Sequence, residues 1–528
     1  MLKGLTRITA APSMLLPVLL ALASASAAAA PAPDGAALLR SYCSGCHFEK
    51  DGRFERISSI RKTPEGWVMT LFRMQQVHGI ALDETVRDQL VHYLADTQGL
   101  APSEAQSSRF ALERRANVQD LNLGPELAVM CGRCHTLARA ALQRRDADEW
   151  LKLAHTHIGQ WPTTEYQASG RDRPWWQIAS EQLPAKLGAL FPFESAAWSA
   201  WRTQAPREPS GTWIVTGHEP GGRSLYGTAQ IKRTESGDYA AHYELADRSG
   251  TALGGESSAT VYTGYEWRGR GQLAGRETRE IFALSEDGTQ IDGRWFDPAH
   301  SEEGGDWRAI RADRGPTILA VLPRALKAGA TGEVTVVGTG LDQTATLSFG
   351  PGVSARVISR TANVLHAVLS ADANAEPGSR MVTAGGASGS GEFVIFRQID
   401  RIEVTPAFGI ARLGGGKIAP VTAQFEALAS TRLPGGEYLA LGPMPAEWSM
   451  QPFDAEAKRS NDVGFAGYLE RNGRFVPGGA GPNPAREFSG NNVGNLAIVA
   501  RVRDGEQALE GRAHLIVTVQ RWNTPPIY

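Results

Sequence analysis

The sequence predicts a multidomain α + β protein, with an all-α N-terminal region followed by three antiparallel β domains, one barrel-like and two immunoglobulin-like sandwiches. The chain has 528 residues, more than a single hydrophobic core usually holds. Apolar residues recur with helical spacing between about residues 35 and 200. From residue 211 onward, short segments alternate apolar and polar residues and are separated by Gly, Asp and Ser. Together these observations indicate a helical region and then a long run of β-structure.

The first thirty residues have the layout of a secretory signal peptide. Lys3 and Arg7 precede an apolar run from Met14 to Ala23, and the small-residue stretch SASAAAA ends at Ala30. The apolar run is shorter than the roughly 20 residues that a membrane-spanning helix needs, and no later stretch is long and apolar enough. We therefore expect residues 1–30 to be removed near Ala28–Ala30, export to the periplasm and no membrane span.

The overall charge gives no sign of a nucleic-acid partner. The chain has 54 basic and 56 acidic residues, and no basic stripe with interleaved aromatic residues occurs. We expect no binding to nucleic acid.

The cysteines carry the strongest chemical signal. All four lie in two C-x-x-C-H motifs, formed by Cys43, Cys46 and His47, and by Cys131, Cys134 and His135. In this spacing two thiols add to the two vinyl groups of one haem, and the adjacent histidine becomes an axial ligand of the iron. Two disulfides, a thioredoxin-like redox pair or a zinc site are the alternatives. The redox pair would need a βαβ context, and the zinc site would need the two distant pairs to meet. The sequence therefore predicts two covalently bound haems c.

A loose internal repeat suggests the second axial ligand of each haem. Each haem motif is followed by a predicted helix that carries Trp67 or Trp150 near its start, and seven residues later this apolar stripe reaches Met74 or His157. We expect the pairs His47–Met74 and His135–His157. In the first helix Thr63 is the expected cap, Pro64 the first turn and Gly79 the end, and in the second Asp146 with Glu149 resembles a capping box.

Neighbouring residues offer alternative ligands. Met69 lies on the other side of its helix from Trp67, and His78 lies one turn beyond Met74 on the same face. His155 lies two residues before His157 and off the stripe. Thioether ligation would raise the potential of the first haem relative to the second.

The predicted domains follow from these patterns. Two haem regions span residues 31–100 and 101–209, and a domain of seven or eight short strands spans 210–314. Residues 315–397 resemble an immunoglobulin-like module of the IPT/TIG kind, and residues 398–528 are expected to form a C-terminal immunoglobulin-like sandwich. No nucleophile–base pair or metal cluster stands out in these β domains, so we expect no catalytic residue on this chain.

The whole layout resembles the alpha subunit of quinohaemoprotein amine dehydrogenases. The likeness rests on the two haem motifs, on GWVMTLFRM ending at Met74, on EWLKLAHTHIGQWP from Glu149 to Pro162, and on the module openings at Ile318 and Ile399. The resemblance implies a complex with a β-propeller beta subunit and a small gamma subunit that carries cysteine tryptophylquinone. In such a complex the quinone oxidises a primary amine to an aldehyde and ammonia. The alpha subunit passes the electrons to azurin or a soluble cytochrome c.

Two other functions remain open on the sequence. The chain could be the cytochrome subunit of another periplasmic dehydrogenase, or it could be a di-haem peroxidase-like enzyme. The peroxidase would need one open iron position, which the candidate ligands Met74 and His157 argue against.

Overall fold

The computed structural model describes residues 34–109, 121–132, 135–160, 173–221, 223–342 and 346–519. The predicted signal peptide and Cys134 lie outside these residues. Within them the chain forms a helical region followed by three β domains, which confirms the predicted fold class. In this described part, no helix combines the length and the apolar character needed to cross a membrane.

The helical region has two halves, each with its own apolar core. The first half contains α1 (Gly35–Cys43), β1 (Glu49–Lys50), β2 (Arg53–Phe54), β3 (Arg61–Lys62), α2 (Pro64–His78), α3 (Glu84–Thr97) and α4 (Pro102–Ala105). The second half contains α5 (Pro125–Met130), α6 (Ala138–Ala141), β4 (Gln143–Arg144), α7 (Ala147–Gln160), α8 (Trp175–Glu181), α9 (Leu183–Leu190) and α10 (Ala196–Trp201). The four short strands were not predicted, because two residues are too few to show a strand pattern.

The strand pair β3–β4 joins the two halves. Arg61 of β3 lies opposite Arg144 of β4 in an antiparallel pair. Thr63 follows β3 directly and caps α2, and Asp146 follows β4 and accepts a hydrogen bond from the Glu149 backbone N–H at 2.8 Å in the first turn of α7. The two helices that carry the predicted distal ligands therefore begin at the same small sheet.

A buried ion-pair cluster stabilises this junction. The Glu104 carboxylate accepts hydrogen bonds from Arg61 at 2.8 and 2.9 Å, from Arg144 at 3.2 Å and from the Ser195 hydroxyl at 2.8 Å. Burial by itself would raise the pKa of Glu104, but the hydrogen bonds and charges of the two arginines lower it to about 2. Glu104 is therefore a carboxylate that binds both halves at once.

The second domain is a closed eight-stranded antiparallel barrel, as predicted. Its interior is filled by large side chains such as Trp213, Tyr265 and Trp267, so it is a packed core. The strands are β5 (Gly211–Glu219), β6 (Arg223–Arg233), β7 (Tyr239–Asp247), β8 (Ala252–Tyr262), β9 (Glu266–Leu273), β10 (Arg276–Leu284), β11 (Gln290–Phe296) and β12 (Gly304–Arg311).

The barrel is attached to the first half of the helical region by buried polar contacts. Arg268 on β9 forms an ion pair with Glu65 in the first turn of α2, and it also contacts Glu266 at 3.3 Å. The Thr263 backbone N–H donates to Asp96 of α3 at 2.6 Å. These bonds connect the first half, and specifically the start of α2, to the barrel wall.

The third domain forms one continuous sheet around its own core. The pairing is antiparallel except that β20 runs parallel to β13 and β14. Its strands are β13 (Thr317–Leu322), β14 (Ala325–Lys327), β15 (Thr331–Thr339), β16 (Leu347–Ser348), β17 (Val353–Arg360), β18 (Val364–Ala371), β19 (Gly378–Ala384) and β20 (Ala387–Phe396).

The C-terminal domain packs sheets β21–β24–β25 and β22–β30–β29–β26 around one core, with a third small sheet β23–β28–β27. The pairing of β22 with β30 is parallel. The elements are β21 (Arg401–Thr405), β22 (Phe408–Arg412), β23 (Ala423–Gln424), β24 (Glu426–Arg432), β25 (Tyr438–Met444), β26 (Glu447–Pro452), α11 (Ala455–Arg459), α12 (Asp462–Phe465), β27 (Gly467–Leu469), β28 (Arg474–Pro477), a 3-10 turn (Glu487–Ser489), β29 (Gly494–Asp504) and β30 (Gln507–Thr518).

Candidate haem sites

The first C-x-x-C-H motif forms a tight turn at the end of α1. The backbone N–H groups of Cys46 and His47 both donate to the Cys43 carbonyl, at 3.2 and 2.9 Å. Cys43 is half-buried against the core of the first half and Cys46 is exposed. Burial raises the pKa of Cys43 to about 11, so its thiol is protonated at neutral pH. The turn presents both sulfur atoms and the histidine on one short segment.

His47 is held by one ring nitrogen. Its Nδ1 is 3.0 Å from the Glu55 carbonyl, which can only accept, so Nδ1 carries the proton. Nε2 is then the nitrogen with a free lone pair. A hydrogen bond that fixes one imidazole nitrogen and leaves the other for a metal is typical of ligating histidines.

Helix α2 has the predicted ends. The Thr63 hydroxyl accepts from the Gly66 N–H at 3.4 Å, Pro64 lies in the first turn, and Gly79 ends the helix with φ +70°. Trp67 is buried in the core of the first half, and Met74 lies half-buried two turns further on. Both helix ends and the core face of α2 thus match the sequence-based expectation.

The candidate ligands near Met74 differ in exposure. Met69 is also half-buried, whereas His78, the last residue of α2, is exposed. Among the residues that the structure describes, Met74 and His47 are not joined by a hydrogen bond. The side chain of Phe48, next to His47, is 73% exposed, and that of Val77 in the last turn of α2 is 55% exposed. Exposed apolar side chains next to the motif and on α2 suit contact with a large apolar cofactor.

The second motif lies after α5. The Cys131 N–H donates to the Leu127 carbonyl at 2.9 Å, and the Cys131 side chain packs at the edge of the second core. Cys134 lies outside the described residues. The His135 Nδ1 is 2.9 Å from the Thr136 carbonyl, so Nδ1 carries the proton there too. The proximal histidines of both motifs are therefore held in the same way.

Helix α7 carries two histidines with different surroundings. The His157 Nδ1 is 2.9 Å from the Leu153 carbonyl one turn back. The exposed His155 has its ring edge against Trp176 of α8, with ring centroids 4.8 Å apart. The structure therefore directs His155 to α8 and leaves His157 with an available Nε2.

The structure brings His135 and His157 together. Their ring centroids are 6.4 Å apart, and the ring planes make an angle of 41°. Two imidazoles that bind one metal from opposite sides, with metal–nitrogen bonds of about 2 Å, have centroids about 6 Å apart. In both rings Nδ1 lies within hydrogen-bond distance of a backbone carbonyl, which makes Nε2 the unprotonated nitrogen. The spacing and the donor atoms of these two residues therefore fit a haem iron between them.

Charges around His157 keep it neutral. Burial is the largest cause that lowers its pKa, the hydrogen bond to Leu153 opposes this, and the nearby cations Arg73, Arg139 and Arg145 lower it further. A neutral imidazole is the form that ligates a metal.

Some features of the sites carried no sequence signal. Glu104, Arg61 and Arg144 are charged residues without a local pattern, so no sequence signal indicates that they cluster in the interior. In the β domains, where no metal cluster stands out in the sequence, ligand atoms of His300, Glu302 and Glu303 lie within 4.8 Å of one another. Those carboxylates are already engaged, since Glu302 accepts from Thr422 at 2.9 and 3.0 Å and Glu303 pairs with Arg474.

Family models cover nearly the whole chain. The haem-binding domain described as "Quinohemoprotein amine dehydrogenase A, alpha subunit, haem binding" matches residues 33–198. Domains II, III and IV of the same alpha subunit match residues 206–312, 315–397 and 402–527, in the order of the barrel and the two later domains. The chain belongs to the quinohaemoprotein amine dehydrogenase alpha-subunit family. Both haem motifs and both candidate ligand helices of this alpha subunit fall within the haem-binding match.

Other comparisons add little to this assignment. No curated protein sequence matches the alpha subunit. Among solved structures, it is similar to a redesigned β-barrel, mFAP1, bound to DFHBI, with 15% identity, 19% of this chain and 91% of that chain covered, and a TM-score of 0.17. The SGBP-B protein of Bacteroides ovatus with a mixed-linkage heptasaccharide gives 10% identity, coverage of 60% and 66%, and a TM-score of 0.18. Mouse PcdhgC3 EC1-3 gives 14% identity, coverage of 46% and 77%, and a TM-score of 0.16.

Proposed function

We propose that this alpha subunit binds two covalent haems c and transfers electrons from a quinone on a partner subunit to an external acceptor. The observation that carries the proposal is the placement of His135 and His157, at 6.4 Å between ring centroids, inside a region that matches the family's haem-binding domain. When bound, haem supplies a reversible one-electron couple between ferric and ferrous iron.

Each haem would be held by residues of one motif and one helix. Cys43 and Cys46 would attach the first haem, with His47 and Met74 as axial ligands. Cys131 and Cys134 would attach the second, with His135 and His157. Two six-coordinate irons suit electron transfer, because neither leaves a position for a substrate.

The protein contributes by fixing its ligands before the cofactor is bound. Backbone carbonyls hold the Nδ1 atoms of His47, His135 and His157, which orients Nε2 and sets the tautomer. The common origin of α2 and α7 at the β3–β4 pair would hold the two ligand helices at a constant separation.

The proposal extends to the partners. A β-propeller beta subunit and a small gamma subunit bearing cysteine tryptophylquinone would complete the enzyme, which converts a primary amine and water to an aldehyde and ammonia. Azurin or a soluble cytochrome c would accept the electrons. Export to the periplasm after cleavage near Ala28–Ala30 would place the complex where covalent haem attachment occurs.

The test is optical. The native complex is purified from the periplasm, a simple aliphatic primary amine is added without mediator, and the visible spectrum is followed. Prompt appearance of reduced c-type bands from both haems is the expected result. Haem that stays oxidised with amines but changes with peroxide would overturn the proposal in favour of a peroxidase-like enzyme. Reduction only by other donors would favour a different dehydrogenase.

A further inference from the structure

The barrel and the C-terminal domain contact each other directly, although the third domain separates them in the chain. Near the end of β5, the His218 Nε2 lies 2.7 Å from a carboxylate oxygen of Glu426, the first residue of β24. The same oxygen accepts a hydrogen bond from the Gly221 N–H at 3.2 Å. Glu426 is 8% exposed, so its carboxylate is largely enclosed by the two domains.

The loop between β11 and β12 lies beside this contact, because β12 pairs with β5 in the barrel wall. Glu302 of this loop accepts from the N–H and the hydroxyl of Thr422 at 2.9 and 3.0 Å. Glu303 forms an ion pair with Arg474 of β28. The His300 Nδ1 lies 3.4 Å from the Glu302 carboxylate. Two neighbouring loops of the barrel are therefore bonded to the same face of the C-terminal domain.

The charges that form these bonds do not balance while the histidines are neutral. The bonds use three carboxylates, those of Glu302, Glu303 and Glu426, but one guanidinium group, that of Arg474. A protonated imidazole would supply a further positive charge. Hydrogen bonds between a charged donor and a carboxylate are stronger than those from a neutral donor. The contact should therefore be tightest when a histidine in it is protonated.

The other charged groups beside His218 also favour its protonated form. Asp306 lies opposite it on β12, and Glu219 follows it on β5. Two cations of the barrel, Arg223 and Arg276, are bound to Glu219. Burial by itself would lower the pKa of His218, but the hydrogen bond and charge of the bonded glutamate raise it, with smaller contributions from the two other acids.

We propose that the contact of His218 and Gly221 with Glu426 is a pH-sensitive latch between the barrel and the C-terminal domain, closed by protonated His218 and weakened when His218 loses its proton. Histidine suits this role because its charge changes near neutral pH. Since the pKa of His218 is raised in the closed contact, its stabilising contribution is complete below the ordinary value of about 6.5 and is lost as the pH rises through the raised value.

The latch would act on one side of the C-terminal domain. On another side, Lys327 of the third domain forms an ion pair with Asp504, which also accepts from the Ile399 N–H at 2.8 Å. This junction does not involve His218. Weakening the latch would therefore loosen the C-terminal domain from the barrel while the third domain still holds it. The latch needs no haem, so it can be tested independently of the proposed function.

The experiment is hydrogen–deuterium exchange of the purified native complex, measured by mass spectrometry at pH 6 and pH 8.5. Labelling times are corrected for the change in intrinsic exchange rate with pH. The backbone N–H groups of Gly221 and Thr422 report on the contact, since each donates to a carboxylate across it. Burial also raises the pKa of Glu303, so the variants His218→Gln and Glu426→Gln are needed to assign a pH effect to the latch.

The matched control is His242→Gln. His242 is a histidine of the same barrel with a carboxylate 3.5 Å away, but that carboxylate, of Glu256, belongs to the barrel itself. In wild type, the protection of the Gly221 N–H should fall about fivefold between pH 6 and pH 8.5, the difference between a charged and a neutral hydrogen bond, and that of Thr422 should fall with it. This fall should be absent in His218→Gln and Glu426→Gln and present in His242→Gln.

Each outcome decides the proposal. Equal protection at the two pH values in wild type overturns the latch, and so does a fall that persists in His218→Gln. If His218→Gln does not assemble, the Glu426→Gln protein decides in its place, since a fall that persists there also overturns the latch. A complex without covalent haem that still shows the fall would overturn the proposed function and leave the latch standing.

Discussion

The two candidate haem sites share a motif and a ligand helix but differ in what surrounds them. The first site is open: Cys46 is exposed, and Phe48 and Val77 present apolar surface to solvent. The second is more enclosed at its candidate distal ligand, because burial is the largest cause that lowers the pKa of His157 and the charges of three arginines lower it further. The repeat therefore places the candidate iron ligands at equivalent positions, whereas the surroundings of the two sites differ in exposure and charge.

The sites also differ in their attachment to the rest of the chain. The first ligand helix is bonded to the barrel through Glu65 and Arg268, whereas the second begins at Asp146, next to the β3–β4 pair. Glu104 connects both halves. The first site is bonded to the barrel, and the second site is bonded to the first half of the helical region. We therefore expect the same kind of substitution to have different effects at the two sites.

The largest expected effect is the loss of one haem. Cys43→Ala with Cys46→Ala should reduce the haem content from two per chain to one, and Cys131→Ala with Cys134→Ala should do the same. Pyridine haemochrome assays measure the content, with Ser44→Ala as the control. Unchanged haem in either double variant would contradict the assignment.

Exchanging the distal ligand should come next in size. Met74→His should lower the potential of the first haem by part of the roughly 0.8 V range that axial ligands span, and should remove its sulfur-to-iron band. Both haems would then have two histidine ligands. Met69→Leu on the same helix is the matched control. If Met69→Leu removes the band and Met74→His does not, Met69 is the ligand.

Removing the Glu104 carboxylate tests whether the two halves of the helical region unfold together. Glu104→Gln leaves Arg61 and Arg144 buried without a counter-charge, which should cost about 3–5 kcal/mol of unfolding free energy. Glu84→Gln, an exposed carboxylate beside Arg87, should cost less than about 1 kcal/mol. Thermal unfolding followed through each haem measures both.

The Glu104 carboxylate also makes the stability of the fold depend on pH in the acid range. Because the pKa of Glu104 is lowered to about 2 in the folded state, its stabilising contribution is complete above the unfolded value of about 4.3 and is lost as the pH falls toward 2. The Glu104→Gln variant should lack this part of the acid sensitivity. Equal acid sensitivity in variant and wild type would show that Glu104 does not hold the halves together.

The smallest effect is expected at the attachment of the open site to the barrel. Burial raises the pKa of Glu266 to about 7, although the charge of Arg268 opposes this, and Arg268 lowers the pKa of Glu65 despite its burial. Stability from protonated Glu266 is complete below about 4.5 and is lost as the pH rises through 7. Glu266→Gln should therefore be more stable than wild type at pH 8, by an amount on the order of 1 kcal/mol.

The control for this change is Glu256→Gln, an exposed barrel residue. It should leave denaturant unfolding at pH 8 unchanged. If Glu266→Gln were less stable than wild type at pH 8, the ionised carboxylate of Glu266 would be the form that stabilises the fold beside Arg268.

The fold and the site were predictable where the sequence is locally patterned. Helix α2 follows from Thr63, Pro64 and Gly79, and the barrel follows from alternation and turn residues, because both signals act within a few residues. The parallel pairing of β20 with β13 was not predictable, since it joins strands far apart in the chain. Pattern analysis indicates which segments are strands but not which distant strand each will pair with.

The candidate haem sites were likewise predictable only where the sequence has a local pattern. His135 and His157 were paired on the basis of a repeat, and their proximity agrees with that pairing. The buried arginines escaped prediction because a charged residue in sequence is usually on the surface. Only the folded chain shows that Arg61 and Arg144 surround Glu104.

The two-residue strands β3 and β4 have a consequence for kinetics. An electron tunnels between cofactors at a rate that decays exponentially with the gap, so small fluctuations in separation would make transfer erratic. Both ligand helices start from this single pair of strands, which is pinned by Glu104 at its side. Under the proposed function, the pair would act as a spacer that keeps the tunnelling gap constant while the outer surfaces of the complex engage and release their partners.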